Sequence, residues 1–431
     1  MKTLTKDSKR ALWLSSLGGT LEFYDFIIFL FFTKAISQQF FPSTLSPFWA
    51  DLNTYGTFAA AYFARPLGGI VMAHFGDKNG RKNMFMLSII LMVIPTFTLG
   101  VMPTYDVIGY AAPIILLLVR ILQGIAIGGE LPGAWVFVNE HMHKHKRGLA
   151  TGILTASVAG GILLGCIVAL IMHLSFTQET INAWAYRLPF ILGGIFGIIA
   201  AFLRQYLEET PVFQEIRKSN AQHSLPIQEV LSNAKIPSVV TMIFTWVLVC
   251  AVVIVTLIMP EFIGTKLNFA KTHTILLQML VVTGMCLGCI AAGWLGDKIG
   301  VCKASYVFHL CFILGALTLF GIVFEGLVVT TSLIVALYFL CGLSVGVAVF
   351  APIFALRLFP SKIRFSGLSF SYNIAYAIFG GSAPIFVSAC LGSGHSFFIA
   401  VYTGLVGALG LCATFIIARN HLIERVTDEY D

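Results

Sequence analysis

Five ionisable side chains sit inside long apolar stretches of this 431-residue chain: Glu22, Asp25, Arg65, Arg120 and Glu130. A charge at the centre of a bilayer costs at least ~2.5–3.5 kcal/mol, so residues of this kind in such a setting point to function. Glu22 and Asp25 are three apart and share one face of a helix. At 1.5 Å per residue, Glu22 lies ~16 Å along its stretch, and Arg120 lies ~14 Å into its own from the other side. These three can meet at one depth. Glu130 is ~15 Å further along the stretch of Arg120, and Arg65 lies towards that same end. Three acids against two arginines would leave one negative charge in excess if all were ionised. One acid is therefore expected to hold a proton in some states and release it in others. Glu22, Asp25 and Glu130 are the candidates for that exchange. The competing structural role, a neutral pair holding helices together, weighs most on Arg65, which is assigned to intramembrane charge pairing.

The second half of the chain has no comparable buried charge. It offers Trp246, Tyr338, Tyr372, Asn373 and Tyr376 as polar or aromatic lining. For any one aromatic, packing is the simpler explanation. Asn373 beside Tyr372, in a stretch that also contains FGGSAP, is the best candidate there for contact with a polar solute. Arg120, Gln123, Tyr372, Asn373 and Tyr376 make up the candidate solute-binding set. Arg120 thus has two competing roles, since a guanidinium could also receive a carboxylate.

Other motifs are quieter. His141, His143 and His145 stand among Lys144, Lys146 and Arg147, whose charge opposes a cation, so no metal site is expected. His309 reads as a buried structural histidine. Cys286 and Cys289 form a CxxC inside an apolar stretch, where small packing residues are a better reading than a redox or metal role. No external cysteine pair is available for a disulfide. There is no ATP-binding P-loop and no serine–histidine–acid set. Neither catalysis nor a cofactor is expected.

The elements that must hold these residues follow from composition. Hydrophobic residues make up 58% of the chain and charged ones 11%, against roughly 25% charged in soluble domains. Apolar stretches recur near 11–33, 51–74, 83–102, 111–138, 149–174, 185–204, 237–259, 273–295, 304–324, 330–355, 366–391 and 395–418. Each is long enough to cross ~30 Å of hydrocarbon as a helix, and no alternating strand pattern suggests a barrel. Twelve spans place most of the basic residues on one side. Only Lys34, Arg187, Lys266 and Lys271 fall on the other, with Arg65 and Arg120 inside spans. By the positive-inside rule the crowded side is cytoplasmic, and both termini with it. That distribution, rather than nucleic acid, accounts for the net charge of +7. The opening MKTLTKDSKR reads as a mature cytoplasmic tail, since the stretch after it is too long and too polar for a cleaved leader.

The halves repeat. AHFGDKNGRK (73–82) follows the second span and GWLGDKIGVCK (293–303) the eighth, placing Asp77 and Asp297 at matching points. Glu140 and Arg147, seven apart, match Arg357 and Arg364. Such spacing indicates a parallel duplication of six helices. The expected organisation is an all-α integral membrane protein: residues 1–204 as one six-helix bundle, 205–236 as a polar cytoplasmic linker, and 237–431 as the second bundle with a short tail. Gly124 and Gly128, and Gly161 and Gly165, are small residues four apart that let helices approach in lipid.

At these residues the sequence resembles the major facilitator superfamily. FGDKNGRK is similar to its loop signature between helices 2 and 3, with Asp77, Gly80, Arg81 and Lys82 matching and Ala73 in place of the usual first glycine. The second copy keeps Gly293, Leu295, Asp297 and Gly300, with Val301 replacing the arginine. GTLEFYDF (19–26), ARPLGG (64–69), RILQGIAIGGE (120–130), RLPF (187–190), LEETPVF (207–213), LFPSKIRFSG (358–367) and FGGSAP (379–384) resemble the metabolite:proton symporters. That family includes proline/betaine, citrate, ketoglutarate and shikimate carriers. Arg357 stands where the family usually has glutamate. The resemblance implies the twelve-helix major facilitator fold in a bacterial inner membrane and alternating access by two rocking halves. It also implies proton-coupled uptake of an amino acid, betaine or organic acid, with span-1 acids in coupling. Asp77, Gly80, Arg81, Arg147, Asp297 and Arg364 become the expected conformational gate. Export or exchange of a carboxylate, siderophore or toxic compound is the alternative on the same fold. The expected partners are a small solute, protons and the lipid bilayer, with no nucleic acid, and the working unit is a monomer.

Overall fold

The computed structural model describes residues 6–206, 209–210, 213–215, 226–325, 330–420 and 422–423, with a few side chains inside the helices, that of Arg81 among them, outside the described set. Twelve long helices account for almost all of it, and no strand occurs among the described residues. They are α1 (Lys6–Phe31), α2 (Pro47–Asn79), α3 (Arg81–Val101), α4 (Ala111–Glu140), α5 (Arg147–Ser175), α6 (Arg187–Arg204), α7 (Lys235–Lys266), α8 (Lys271–Ile299), α9 (Val301–Glu325), α10 (Thr331–Leu358), α11 (Arg364–Gly392) and α12 (Phe397–Arg419). Every backbone donor and acceptor in lipid needs an internal partner, which a helix supplies. Ten of the helices are long and apolar enough to cross a membrane. Gln178–Ala185 and Arg187–Leu203, bent by 53° at their junction, are together long and apolar enough for an eleventh. The remaining one, α2, runs for 33 residues and buries Arg65 in its middle. Phe63, Ile94, Leu174, Ile385 and Leu405 are 62–71% exposed. Large side chains that bare are stable against lipid and costly against water.

The turns show the duplication. α2 passes to α3 through Gly80 (φ 113°), and α8 passes to α9 through Gly300 (φ 93°). Both are one-residue connections in a backbone region that side chains disfavour. Within the first half, α2 and α4 lie against each other along Gly124 and Gly128, where a Cβ would run into the backbone of Ala61 and Arg65. Gly161 and Gly165 of α5 meet α1 at Thr20, Phe23 and Phe31. The two halves join along two seams, α5 on α8 and α2 on α11. Gly148 and Gly152 of α5 approach Gly293 and Cys289 of α8 there, and the Cys286 thiol donates to the Ala156 carbonyl (3.4 Å). All nine cysteines are free thiols.

Three π-helical stretches occur among the described residues: Cys250–Ile258 in α7, Tyr376–Gly380 in α11, and Ile181–Ala185 ahead of α6. Residues 207–208, 211–212 and 216–225 of the polar segment between the halves lie outside the described residues, and Pro226–Asn233 is a short helix leading to α7.

Candidate functional site

Asp25 points into the first bundle. It is 1% exposed on α1, against Gly193 of α6, where any side chain would meet its carboxyl. The Thr96 hydroxyl of α3 donates to it. Thr96 Oγ1 accepts from Gln123 Nε2 at 2.9 Å, and Gln123 Oε1 accepts from Arg120 Nη1 at 2.7 Å. A hydroxyl has one proton to give, so the chain runs one way, Arg120 to Gln123 to Thr96 to Asp25, with every link donating towards the carboxyl. Asp25 Oδ1 accepts no hydrogen bond. The Arg120 guanidinium lies over the rings of Phe29 (4.3 Å) and Phe26 (4.8 Å). The Tyr24 hydroxyl donates to the Pro189 carbonyl at 2.8 Å, fixing α1 on α6. Glu22 and Glu130 are also buried.

A second cluster spans the seam between α2 and α11. Arg65, wholly buried, donates from Nε to Asn373 Oδ1 at 3.3 Å. Asn373 Nδ2 donates to the Gly128 carbonyl of α4 (2.6 Å) and to Ser369 of its own helix (2.8 Å). One amide of the second half thus ties two helices of the first. The guanidinium lies 4.0 Å from the Tyr376 ring centre, 5.4 Å from Tyr372 and 5.9 Å from Tyr62. Tyr62 and Tyr376 stack across the halves at 5.6 Å, and Trp135 meets Tyr372 edge-on at 5.1 Å.

Beside that wall is a cavity of about 30 Å³, walled by Phe23, Trp135, Tyr372, Tyr376 and apolar side chains from both halves. Small-molecule sites usually run to ~300–1,000 Å³, so this cavity is too small to enclose a solute in this conformation. Of the candidate solute-binding residues, Tyr372 and Tyr376 line the cavity. Asn373 lies on the seam, while Arg120 and Gln123 stand in the first bundle's interior. Trp246 bonds Tyr402 at 2.7 Å and stacks on Phe379. His309 is buried and shares Ser305 with Thr414.

A third set lies at one end of the molecule. Asp77, at the end of α2, accepts from the Ser366 backbone N–H in the first turn of α11 (2.9 Å). Asp297, at the end of α8, accepts from Gly148 N–H (2.8 Å) and Leu149 N–H (2.7 Å) in the first turn of α5. Each aspartate caps a helix of the opposite half, satisfying donors that a helix start leaves open and placing negative charge at its positive end. Arg364 pairs with Glu140 at 3.3 Å across the halves. Arg147 and Arg364 each bond a carbonyl five residues back, at Met142 and Phe359. The second repeat has no acidic counterpart of Glu140: Arg357 stands there, in the field of Asp297. Gly80 forms the turn, and Glu209 accepts from Lys82 N–H at the start of α3.

Two aspartates at matching points of a repeat, each capping a helix of the other half, mark two bundles that lock at one end. Residues 17–384 match the sequence pattern of the Major Facilitator Superfamily. The chain belongs to that family. It is 31% identical over 428 residues to a putative proline/betaine transporter of Staphylococcus haemolyticus, covering 96% of this chain and 88% of that one. It is 30% identical over 426 residues to the proline/betaine transporter of Escherichia coli K12, covering 95% and 83%. A transporter of glycine betaine, proline, ectoine and pipecolic acid from Dickeya dadantii, OusA, is 30% identical, with 94% and 82% covered. Among solved structures, the proton:xylose symporter XylE bound to 6-bromo-6-deoxy-D-glucose superposes with a TM-score of 0.79 at 15% identity, over 97% of this chain and 96% of that one.

As a multi-pass transporter of this superfamily, the molecule is seen with the Asp77–Asp297 end shut. Four participants are not among the site residues read from the sequence. Thr96 and Trp135 are single polar or aromatic residues in apolar spans. Glu209 stands in the LEETPVF motif, but is near α3 only in space. Glu140 was visible as a landmark of the repeat, but its partner Arg364 is 224 residues away.

Proposed function

We propose that this transporter is a proton-coupled uptake symporter for a small polar solute, an amino acid, betaine or organic acid. It works as a monomer in a bacterial inner membrane, with both termini and the Asp77–Asp297 end cytoplasmic. The names of the proline/betaine relatives favour a zwitterion. The observation that carries the reading is the one-way chain from Arg120 to Asp25. A carboxylate holds its place in it as an acceptor. A proton on Asp25 weakens it as an acceptor and slackens the links back to the guanidinium. Two residues from Asp25, Phe23 lines the cavity from α1, and Trp135 lines it from α4, the helix of Arg120 and Gln123. The proton state of one carboxyl therefore acts on two walls of the solute chamber without the proton entering it.

The test is transport by purified protein in liposomes. Labelled glycine betaine or L-proline should accumulate against its gradient when the outside is acidic, and collapse of the pH gradient should abolish accumulation. In Asp25→Asn, solute exchange without a gradient should continue while gradient-driven accumulation falls at least tenfold. Normal accumulation by both Asp25→Asn and Glu22→Gln would move the coupling site elsewhere, with Glu130 next.

A further inference from the structure

We infer that Arg65 is the residue that receives the solute's carboxylate, once the tyrosine wall beside the cavity opens. The inference rests on the symport reading above and assigns one end of its solute. Arg65 is a full cation with no surface exposure in mid-span. Its contacts are a hydrogen bond to Asn373, the rings and hydroxyls of Tyr372 and Tyr376, and the face of Tyr62, all neutral groups. Its Nη2 donates to nothing, and no carboxylate among the described residues pairs with it. A guanidinium carries five donors in a planar fork suited to a carboxylate. Burying it among neutral partners alone is costly, and hydroxyls and π faces return only part of that cost.

Its position fits the role. Tyr372 and Tyr376 cover Arg65 on one side and line the cavity on the other, so the cation and the chamber are one ring apart. Tyr376 opens the π-helical stretch that ends at Gly380, with Gly381 next. Such stretches repack more readily than a regular α-helix and gather at functional sites. A turn of this segment carries the Tyr376 ring off the guanidinium and joins the two spaces. Arg120, the rival candidate, bonds Gln123, which bonds Thr96 beside Asp25, and the rings it lies over, Phe26 and Phe29, do not line the cavity. The two buried arginines then divide the work, Arg120 with the proton and Arg65 with the solute. The aromatic walls left to the chamber suit the cationic end of a zwitterion.

Glycine betaine and choline share a trimethylammonium group, and only the first has a carboxylate. Binding of each is measured by thermal shift and by competition against labelled L-proline in proteoliposomes. Wild type should prefer glycine betaine. Arg65→Gln should lower its affinity for glycine betaine by at least about 30-fold, leaving choline unchanged, because one partner of a buried charged contact has gone. Arg65→Lys, gentler on packing, keeps the charge and loses the fork. It should lower glycine betaine affinity about tenfold with choline again unchanged. Wild-type preference retained in either variant overturns the inference and leaves Arg65 a tie between the halves. A wild type that binds no carboxylate among glycine betaine, proline and succinate overturns the symport reading and this inference together. That failure shows in the unmutated protein, whereas failure of the inference alone shows only in the variants.

Discussion

Asp77 and Asp297 occupy equivalent places but hold their helices differently, and the difference predicts unequal effects of one substitution. Asp77 accepts the Ser366 N–H through one oxygen, so an asparagine oxygen can keep that bond. Asp77→Asn then removes the charge at the helix start, which also faces Arg364, a loss of about 0.5–1 kcal/mol from the helix end. That shifts the balance towards the state open at this end about two- to fivefold. Asp297 uses both oxygens, on Gly148 and Leu149. Asparagine offers one acceptor and turns an amide N–H towards the second donor. Asp297→Asn therefore loses a charged hydrogen bond, worth ~1.5–3 kcal/mol, as well as the charge. Asp297 is only partly buried, and water can replace some of this, so about 2 kcal/mol or about 30-fold is expected. The assay is a spin–spin distance distribution between labels at Lys78 and Lys298, both exposed at this end, in a background without the exposed thiols Cys311 and Cys412. The long-distance population should grow in both variants, and more in Asp297→Asn. Equal growth, or more in Asp77→Asn, would refute the capping argument.

Cutting the one-way chain at its neutral link gives a further expectation. Thr96→Val keeps shape and removes the hydroxyl between Gln123 and Asp25. It should lower gradient-driven accumulation several-fold while solute affinity stays within about threefold, since Thr96 is not a cavity wall; an equal loss of affinity would count against the separation of the two sites. Arg357→Gln removes the cation facing Asp297 and should add to the open population by about two- to threefold in the same spin-label experiment, with no change marking Arg357 as idle. For sidedness, a cysteine at Lys218 should be shielded from impermeant maleimide in intact cells and react once the membrane is broken; labelling in intact cells would invert the proposed topology.

Much of the scaffold was legible because its causes are local. Apolar length sets a span, and a glycine with positive φ closes the turn at Gly80 and again at Gly300. All twelve spans read from the sequence recur as helices, with ends moved by several residues, as in α2, which extends to Asn79. The duplication was legible for the same reason, because its markers lie at matching offsets in one dimension.

The azimuth of each helix was not legible. A span apolar all round gives no periodic stripe to say which face turns inward. Spacing alone put Glu22, Asp25 and Arg120 at one depth, but could not say that Asp25 turns to Gly193 and Thr96 while Phe23, two residues away, turns to the cavity. It named Arg120 and Asn373 together as solute ligands. Packing puts the first in the interior of one bundle, and the second on the seam with Arg65. Nor does any local pattern link Asp77 to a backbone N–H 289 residues away. The sequence by itself determined which charges are buried and on which spans they lie, because the cost of burying a charge depends on the surrounding composition. Only the tertiary structure decided which of them meet, because hydrogen bonds act over a few ångströms and those distances exist only after the two bundles have packed.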